Sequence, residues 1–216
     1  MTWLGDHLDL VIQYLLTHAV LAAVPTVVGL LLAIPLGWLA HRVPALRTPL
    51  VTGAGVLYTI PSLALFVLMP PVLGTKMLDP LNVVIALTIF SVALLVRTVA
   101  DALGTVDRTT ITAATAMGMG GFRRFVTVEL PLAVPVTSAG LRVAAVSNVS
   151  IVSVAALIGV DQLGSLFVDG FNRAYLDPII VGIVACVLLA LAFDAVIVAV
   201  TWLITPWRHP GSSRRS

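Results

Sequence analysis

Long uncharged apolar runs, separated by short polar loops, dominate the pattern along this chain of 216 residues. A helix needs about 20 apolar residues to cross a bilayer, because every backbone polar group must be satisfied inside the hydrocarbon core. Five runs meet this requirement, at 19–40, 50–73, 81 to about 100, 132–160 and 178–204. The pattern therefore predicts an all-α membrane protein of about five transmembrane helices. We expect a single transmembrane domain over residues 1–204, followed by a tail at 205–216.

Composition supports the membrane class and excludes others. Charged residues make up 10% of the chain, against about 25% in soluble domains, and the mean hydropathy is +1.09. A formal charge of +2 is too small to indicate a nucleic-acid partner. The first ten residues contain two aspartates and no Lys or Arg, unlike a cleavable signal peptide. We expect them to be retained as a short interfacial helix, with Trp3 and Tyr14 near the lipid headgroups.

The distribution of basic residues predicts the orientation. Two of them, Lys76 and Arg173, fall on one side of the predicted spans, and Arg142 falls inside one. Nine fall on the other side: Arg42, Arg47, Arg97, Arg108, Arg123, Arg124, Arg208, Arg214 and Arg215. Because cytoplasmic loops carry the excess of Lys and Arg, the N-terminus is predicted outside and the C-terminus inside.

The longest predicted cytoplasmic loop, about 101–131, has an unusual composition. Residues 109–117 are rich in Ala, Thr and Met and predict a short helix, which Gly118, Gly120 and Gly121 then end. Two phenylalanines and two arginines follow, and Pro131 suits the start of the next span. The pattern predicts a compact helix–turn–helix with small and aromatic side chains on its surface. Such an exposed apolar surface indicates binding of a partner protein.

In this loop, three residues separate Ala113-Ala114 from Gly118, and nine residues separate Gly118 from Val128-Glu129-Leu130-Pro131. This spacing resembles the EAA loop of the membrane permease subunits of bacterial ABC importers. Thr112 stands where the family usually has glutamate. The resemblance implies a type I ABC importer permease fold, in which a coupling helix docks onto a cytoplasmic ATPase. The residues that it assigns to this coupling are Ala113, Ala114, Met117, Gly118, Glu129, Leu130 and Pro131.

Three further stretches, at 58–70, 117–135 and 155–170, resemble the osmoprotectant branch of these permeases. Two positions depart from the branch: Tyr58 replaces a usual glutamine, and Asp161-Gln162-Leu163-Gly164 replaces a usual Gly-Gly-Leu-Gly. The resemblance implies the pore subunit of an ATP-driven importer for a compatible solute such as glycine betaine, choline or carnitine. Import of another small solute, such as an amino acid or a betaine-like thiol, is an alternative.

The resemblance also implies partners. No G-x-x-x-x-G-K-[ST] loop occurs, so ATP and Mg are expected on a separate ATPase, and no cofactor is expected on this chain. The other expected partners are an extracytoplasmic solute-binding protein, a second permease copy or paralogue, and membrane lipid. The expected location is the bacterial plasma (inner) membrane.

Two other classes of function, a membrane enzyme and an ion-driven transporter, need sites of their own. A membrane enzyme would need a catalytic set. His7, His18, His41 and His209 lie outside the predicted spans or at their ends without metal-ligand spacing, and no G-x-S-x-G is present. A secondary transporter driven by an ion gradient would need its own coupling site, for which Asp194 is the one candidate carboxylate within a predicted span.

Polar residues inside spans are costly and usually face a cavity or a neighbouring helix. The fourth span is the most polar, and Ser147, Asn148 and Ser150 lie near one face of it, which places them along the translocation path or in hydrogen bonds between helices. In the second span, Tyr58 accompanies Pro61 and Ser62. Its aromatic face suits either a transient site for a quaternary ammonium group or ordinary packing.

Arg142 and Asp194 predict an ion pair inside the membrane. Each lies ten residues from the cytoplasmic end of its predicted span, which places both about 15 Å deep. Opposite charges at one depth on successive helices lower each other's cost by pairing. The competing hypothesis is that Arg142 faces the pathway and repels cations.

Overall fold

Helices form nearly the whole of the computed structural model, which describes residues 2–208. Residues 209–216, including Arg214 and Arg215 and most of the predicted tail, lie outside the described part. The helices in chain order are α1 (Thr2–Asp6), α2 (Leu8–Arg42), α3 (Pro44–Tyr58), α4 (Ser62–Leu73), α5 (Pro80–Gly104), α6 (Arg108–Ala116), α7 (Gly121–Arg124), α8 (Leu130–Val152), α9 (Leu163–Asn172) and α10 (Leu176–Ile204). A π-helical segment, Phe125–Glu129, joins α7 to α8, and 3₁₀ segments lie at Ser153–Ile158 and Pro206–Arg208.

Four helical stretches within residues 2–208 are long and apolar enough to cross a membrane: α2, α5, the continuous run Gly121–Ile158, and α10. The predicted span at 50–73 is instead a bent pair, α3 and α4, whose axes meet at 101°. Counted as one broken span, this pair gives the predicted number of five.

Pro61 explains the break between α3 and α4. The N–H groups of Thr59 and Ile60 bond three residues back, to Val56 and Leu57, which tightens the end of α3. Pro61 then adopts an extended conformation, with φ −58° and ψ 131°. Proline has no N–H to continue the ladder, and its ring disfavours helical geometry in the preceding residue. The predicted span at 50–73 therefore consists of two helices that meet at Pro61 and not of a single helix.

The first span is longer than predicted. α2 has 35 residues, about 50 Å, and it starts at Leu8 rather than Ala19. The helix expected at the N-terminus covers Thr2–Asp6, and Tyr14 lies within α2. Pro25 and Pro35 do not interrupt α2.

α5 is the centre of the bundle and packs closely against α2 and α8. Glycines allow the approach: a methyl group at Gly29 would lie 2.4 Å from Cβ of Ser91, and one at Gly37 would lie 2.6 Å from Cβ of Val99. Small residues at such crossings bring helix backbones together in membrane proteins, where van der Waals packing replaces the hydrophobic effect. α10 packs on α8 and α9 and otherwise exposes apolar side chains, a surface suited to lipid or to another subunit.

The bundle has two distinct ends. The arginine-rich end carries α6 together with Arg42, Arg47, Arg97, Arg108, Arg123 and Arg124. The N-terminal end carries α1, the start of α2, and α9. At the arginine-rich end, Asp101 of α5 pairs with Arg47 of α3 at 3.1 Å and with Arg97 at 3.6 Å.

Candidate functional site

The predicted coupling helix is present as α6, and its start is fixed by Asp107. The Asp107 carboxylate accepts hydrogen bonds from the Thr109 hydroxyl and from the Thr109 backbone N–H, the latter at 3.1 Å. Aspartate at this position satisfies one of the donors that a helix start leaves without a partner. These two bonds favour the ionised form and lower the pKa of Asp107 below its usual value.

Gly118 ends α6 in a defined way. Its φ is +79°, in the left-handed region that favours glycine. The Gly118 N–H bonds to the Thr115 carbonyl at 2.9 Å, and the Met119 N–H bonds to the Ala114 carbonyl at 3.2 Å. This pair of bonds is the Schellman motif, which satisfies two carbonyls at the helix end. The position of the glycine in the motif thus has a local backbone cause.

The coupling residues predicted on α6 divide into an exposed and a buried group. Ala113, Met117 and Gly118 are exposed, Met117 by 70%. Ala114 is 2% exposed and packs within its own chain. Just beyond the turn, Phe122 is also 70% exposed. Ala113, Met117, Gly118 and Phe122 are therefore available to a partner, while Ala114 packs against the rest of the chain.

Glu129 is buried and holds the loop together. It is 4% exposed and accepts a hydrogen bond at 2.6 Å from Nε of Arg124. The same guanidinium donates from Nη1 to the Thr115 hydroxyl of α6 at 2.7 Å. Arg124 therefore ties the coupling helix to the start of the long helix Gly121–Ile158. The sequence reasoning missed Arg124 and Thr115, because nothing in their spacing shows that they meet.

Leu130 and Pro131 lie within a continuous helix, partly buried, and not at a new start. The Leu130 N–H bonds to the Phe125 carbonyl, five residues back, so the helix widens by one residue just before the proline. A π-helical turn of this kind accommodates the missing N–H of Pro131 without ending the helix.

Three of the predicted path residues meet at one shallow cleft. Tyr58, Ser147 and Asn148 line it with Phe90 and Ser91. The Tyr58 ring meets the Phe90 ring edge to face, at 5.9 Å between centroids. Pro61 and Ser62 form the α3–α4 break and do not line this cleft, and Ser150 is exposed on the surface of α8.

Asn148 lies in the interior of the bundle. It is 2% exposed, and its side-chain amide donates to the hydroxyls of Thr26 and Ser91, both at 2.8 Å. These bonds join α8 to α2 and to α5. Hydrogen bonds of this kind hold membrane helices together. The geometry of Asn148 therefore matches a role in bonding between helices, whereas Ser147 is partly buried and Ser150 is exposed.

Arg142 and Asp194 are brought together. Nε and Nη2 of Arg142 donate to the two carboxylate oxygens of Asp194 at 2.5 and 2.9 Å. The pair joins α8 to α10 on a face of the bundle where both side chains are partly exposed, by 45% and 30%.

A further polar cluster near the N-terminal end centres on His18. The sequence placed His18 at the end of a predicted span, but it lies ten residues after Leu8, the start of α2, and is fully buried. Its Nδ1 lies 2.9 Å from Oε1 of Gln162, and its Nε2 donates to the Val149 carbonyl at 2.8 Å. Gln162 in turn donates to the Val152 carbonyl and caps α9 through the Gly164 N–H. Within residues 2–208, no three His, Cys, Asp or Glu side chains are placed so as to hold a metal ion.

Comparison with known proteins agrees with this architecture. Residues 26–206 match the family described as binding-protein-dependent transport system inner membrane component. The osmoprotectant import permease OsmW of Salmonella typhimurium is 32% identical over 88% of this chain and 89% of its own length. A glycine betaine/carnitine/choline permease of Bacillus subtilis, OpuCB, is 27% identical over 88% of this chain and 86% of its own.

Among solved structures, a chain of the inward-facing MetNI methionine ABC transporter superimposes with a TM-score of 0.84. The superposition covers 93% of this chain and 98% of that one, at 19% identity, and therefore shows a shared fold. The family consists of multi-pass membrane subunits of ABC importers whose ATPase is a separate subunit. The match over 26–206, with the coupling helix in its expected place, shows that this chain belongs to the binding-protein-dependent transport system inner membrane component family, as a permease subunit of an ABC importer.

Proposed function

We propose that this chain forms part of the pore of an ATP-driven importer for a small compatible solute that carries a quaternary ammonium group, such as glycine betaine, choline or carnitine. The names of OsmW and of the Bacillus subtilis permease support this class of solute. The exposed aromatic face of Tyr58, beside Ser147, suits weak contact with such a cation. Weak contact suffices, because a site that binds tightly would slow release.

The link made by Arg124 carries the mechanistic part of the proposal. A partner ATPase, which binds ATP and Mg, docks against Ala113, Met117 and Phe122. When the ATPase moves α6, the bonds from Arg124 to Thr115 and to Glu129 transmit the displacement into the helix Gly121–Ile158. That helix carries Ser147 and Ser150, so that motion at the arginine-rich end reaches the proposed path.

The remaining partners complete the proposal. A second copy or a paralogue completes the pore, and an extracytoplasmic binding protein delivers solute to the N-terminal end. The location proposed is the bacterial plasma membrane, with the arginine-rich end in the cytoplasm, as the excess of arginine at that end favours.

Site-specific cross-linking tests the docking surface. Cys186 is the one native cysteine, so Cys186→Ala provides a clean background. In that background, Ala113→Cys and Met117→Cys are expected to cross-link to the partner ATPase. Asn172→Cys, which is exposed at the N-terminal end, is the matched control and should not. Cross-linking of Asn172→Cys but not of the α6 variants, or solute uptake without any ATPase, contradicts the proposal.

The class of solute is tested separately in the reconstituted complex with its binding protein. Choline, glycine betaine and carnitine are expected to stimulate ATP hydrolysis, and amino acids without a quaternary ammonium group are not. Stimulation by such amino acids alone would retain the docking mechanism and replace the solute.

A further inference from the structure

A cleft of about 390 Å³ opens at the N-terminal end, far from the coupling helix, and no step described above uses it. Trp3, His7 and Tyr14 line it from the α1–α2 region, and Asp161 and Asp169 line it from the region of α9. The cleft therefore combines an aromatic wall with a carboxylate wall. Its volume falls within the range of small-molecule sites, about 300–1,000 Å³.

The aromatic wall is one helical stripe. Trp3, His7, Leu10 and Tyr14 recur at intervals of four, three and four residues, which places them on one face across the α1–α2 junction. The Trp3 and His7 rings stack at 4.5 Å with an interplanar angle of 10°, and Nδ1 of His7 lies 2.9 Å from the Trp3 carbonyl oxygen. These contacts hold the wall in place before any ligand arrives.

The carboxylate wall has an excess of negative charge. Asp169 pairs with Arg173 at 2.7 Å. Asp161 is exposed, and its contact within the described residues is a weak hydrogen bond, at 3.4 Å, from the Ser165 hydroxyl. No Lys or Arg of the described residues lies within ion-pair distance of Asp161. Among the residues that the structure describes, Asp161 is therefore a carboxylate of the cleft without a paired cation.

Gln162 fixes Asp161 at the rim of the cleft. The Gln162 side chain is fully buried and bonds to His18, to the Val152 carbonyl and to the Gly164 N–H. With its neighbour anchored to α2, α8 and α9 at once, Asp161 has little freedom to turn away. Asp161 thus supplies the cleft with a negative charge, and Gln162 supplies its anchor.

We propose that this cleft is a capture site for a small methylated ammonium solute on the entry side of the permease. Aromatic faces attract weakly hydrated organic cations, and a carboxylate nearby adds a charge partner. An anion would be repelled by Asp161, and a neutral apolar solute would leave Asp161 without a counter-ion, whereas Asp169 already pairs with Arg173. The proposal rests on the proposed function for the class of solute, but the binding step is independent of coupling to ATP.

Saturation-transfer NMR on the methyl protons of tetramethylammonium tests this site, since the method suits weak ligands. The full chain is reconstituted in nanodiscs of phosphatidylethanolamine and phosphatidylglycerol. Phosphatidylcholine is left out because its headgroup carries the same trimethylammonium group. We expect saturable binding that weakens about tenfold in Asp161→Asn and persists in Asp161→Glu, because a carboxylate at the rim supplies the charge partner.

Asp9→Asn is the matched control, because it removes an exposed carboxylate from the first turn of α2 without lining the cleft. Binding in this variant should equal that of the native chain. Three results would each overturn the proposal. Asp161→Asn could bind tetramethylammonium as well as the native chain does, sodium ions at the same concentration could occupy the site equally well, or binding to the native chain could fail to saturate. A fourth result would also overturn it. If the binding protein no longer stimulates ATP hydrolysis in Asp161→Asn at saturating solute, while tetramethylammonium binding is unchanged, the cleft is a docking surface for that protein.

The two proposals fail separately. Tetramethylammonium binding at this cleft in a complex whose ATPase responds to no quaternary amine would overturn the proposed solute and leave the capture site. ATP-driven uptake of choline or glycine betaine with no binding at this cleft would overturn the capture site and leave the proposed function.

Discussion

Arg142 of α8 and Asp194 of α10 form a two-point ion pair, with guanidinium nitrogens 2.5 and 2.9 Å from the two carboxylate oxygens. The residues are 52 positions apart in the sequence, and each lies in the interior of a helix that is otherwise almost uncharged. A paired guanidinium and carboxylate cost far less in a bilayer than either charge alone. The pair therefore adds a polar link to the apolar packing of α10 on α8.

Removing one partner of this pair is expected to do more harm than removing both. Arg142→Ala or Asp194→Ala leaves an unpaired charge in the membrane and should lower the unfolding temperature and the yield of assembled complex. The double variant Arg142→Met/Asp194→Met should recover much of both. Thermal unfolding in detergent, followed by size-exclusion chromatography, measures the effect. A different result would support the hypothesis that Arg142 acts alone in the pathway: Asp194→Asn assembles and transports normally, whereas Arg142→Ala does neither.

Gly118→Ala is expected to impair coupling at the end of α6. An alanine at φ +79° is strained by about 1 kcal/mol, and relief of that strain would open the Schellman turn that orients Met117. Gly120→Ala is a close control. Both glycines have open space around the position of a Cβ atom, but Gly120 has φ −63°, which an alanine adopts without strain. Solute-stimulated ATP hydrolysis should fall in Gly118→Ala and stay near the native rate in Gly120→Ala. An equal loss of ATP hydrolysis in both variants would show that the left-handed turn at Gly118 is not required for coupling.

The Asp107 cap predicts how α6 responds to pH. Hydrogen bonds from Thr109 lower the pKa of Asp107, so its carboxylate stabilises α6 at every pH above the unfolded-state value of about 4. That contribution is lost only as the pH falls through the still lower pKa of the folded state. Hydrogen exchange of the α6 amides should therefore show no change in capping between pH 5 and 8. Asp107→Ala should speed exchange across this range, and Asp107→Asn should speed it less, because asparagine also caps helices. A loss of protection in the native chain between pH 7 and 5 would contradict this account.

Gln162→Ala is expected to destabilise the N-terminal end. It removes a hydrogen-bond partner from fully buried His18, from the Val152 carbonyl and from the α9 cap, at a cost of about 1–3 kcal/mol for each group left unsatisfied. The control is Gln13→Ala, which truncates an exposed glutamine on α2, the helix that carries His18, and should have little effect. Thermal unfolding of the three proteins measures the difference. Equal unfolding temperatures would show that water replaces these bonds and that the cluster is not structural.

Several features could be predicted because their causes are local in the sequence. Apolar runs of about 20 residues locate the spans, since a bilayer demands that length. The interval from Ala113 to Gly118 locates the coupling helix, and Gly118 ends it because its backbone needs a left-handed conformation there. The pairing of Arg142 with Asp194 could be anticipated because two equal depths follow from counting residues along two helices.

Only the tertiary structure decided which face of each helix is covered. Lipid tails are as apolar as leucine, so a membrane helix needs no polar stripe to mark its outer face, and the sequence carries no periodic signal for burial. Ala113 and Ala114 are adjacent and identical, yet one is exposed and the other buried. Asn148 with Thr26 and Ser91, Arg124 with Thr115, and His18 with Gln162 meet only because helices far apart in the chain pack together. The sequence thus determined where the chain crosses the membrane and where it couples, and helix packing decided which polar groups meet inside it.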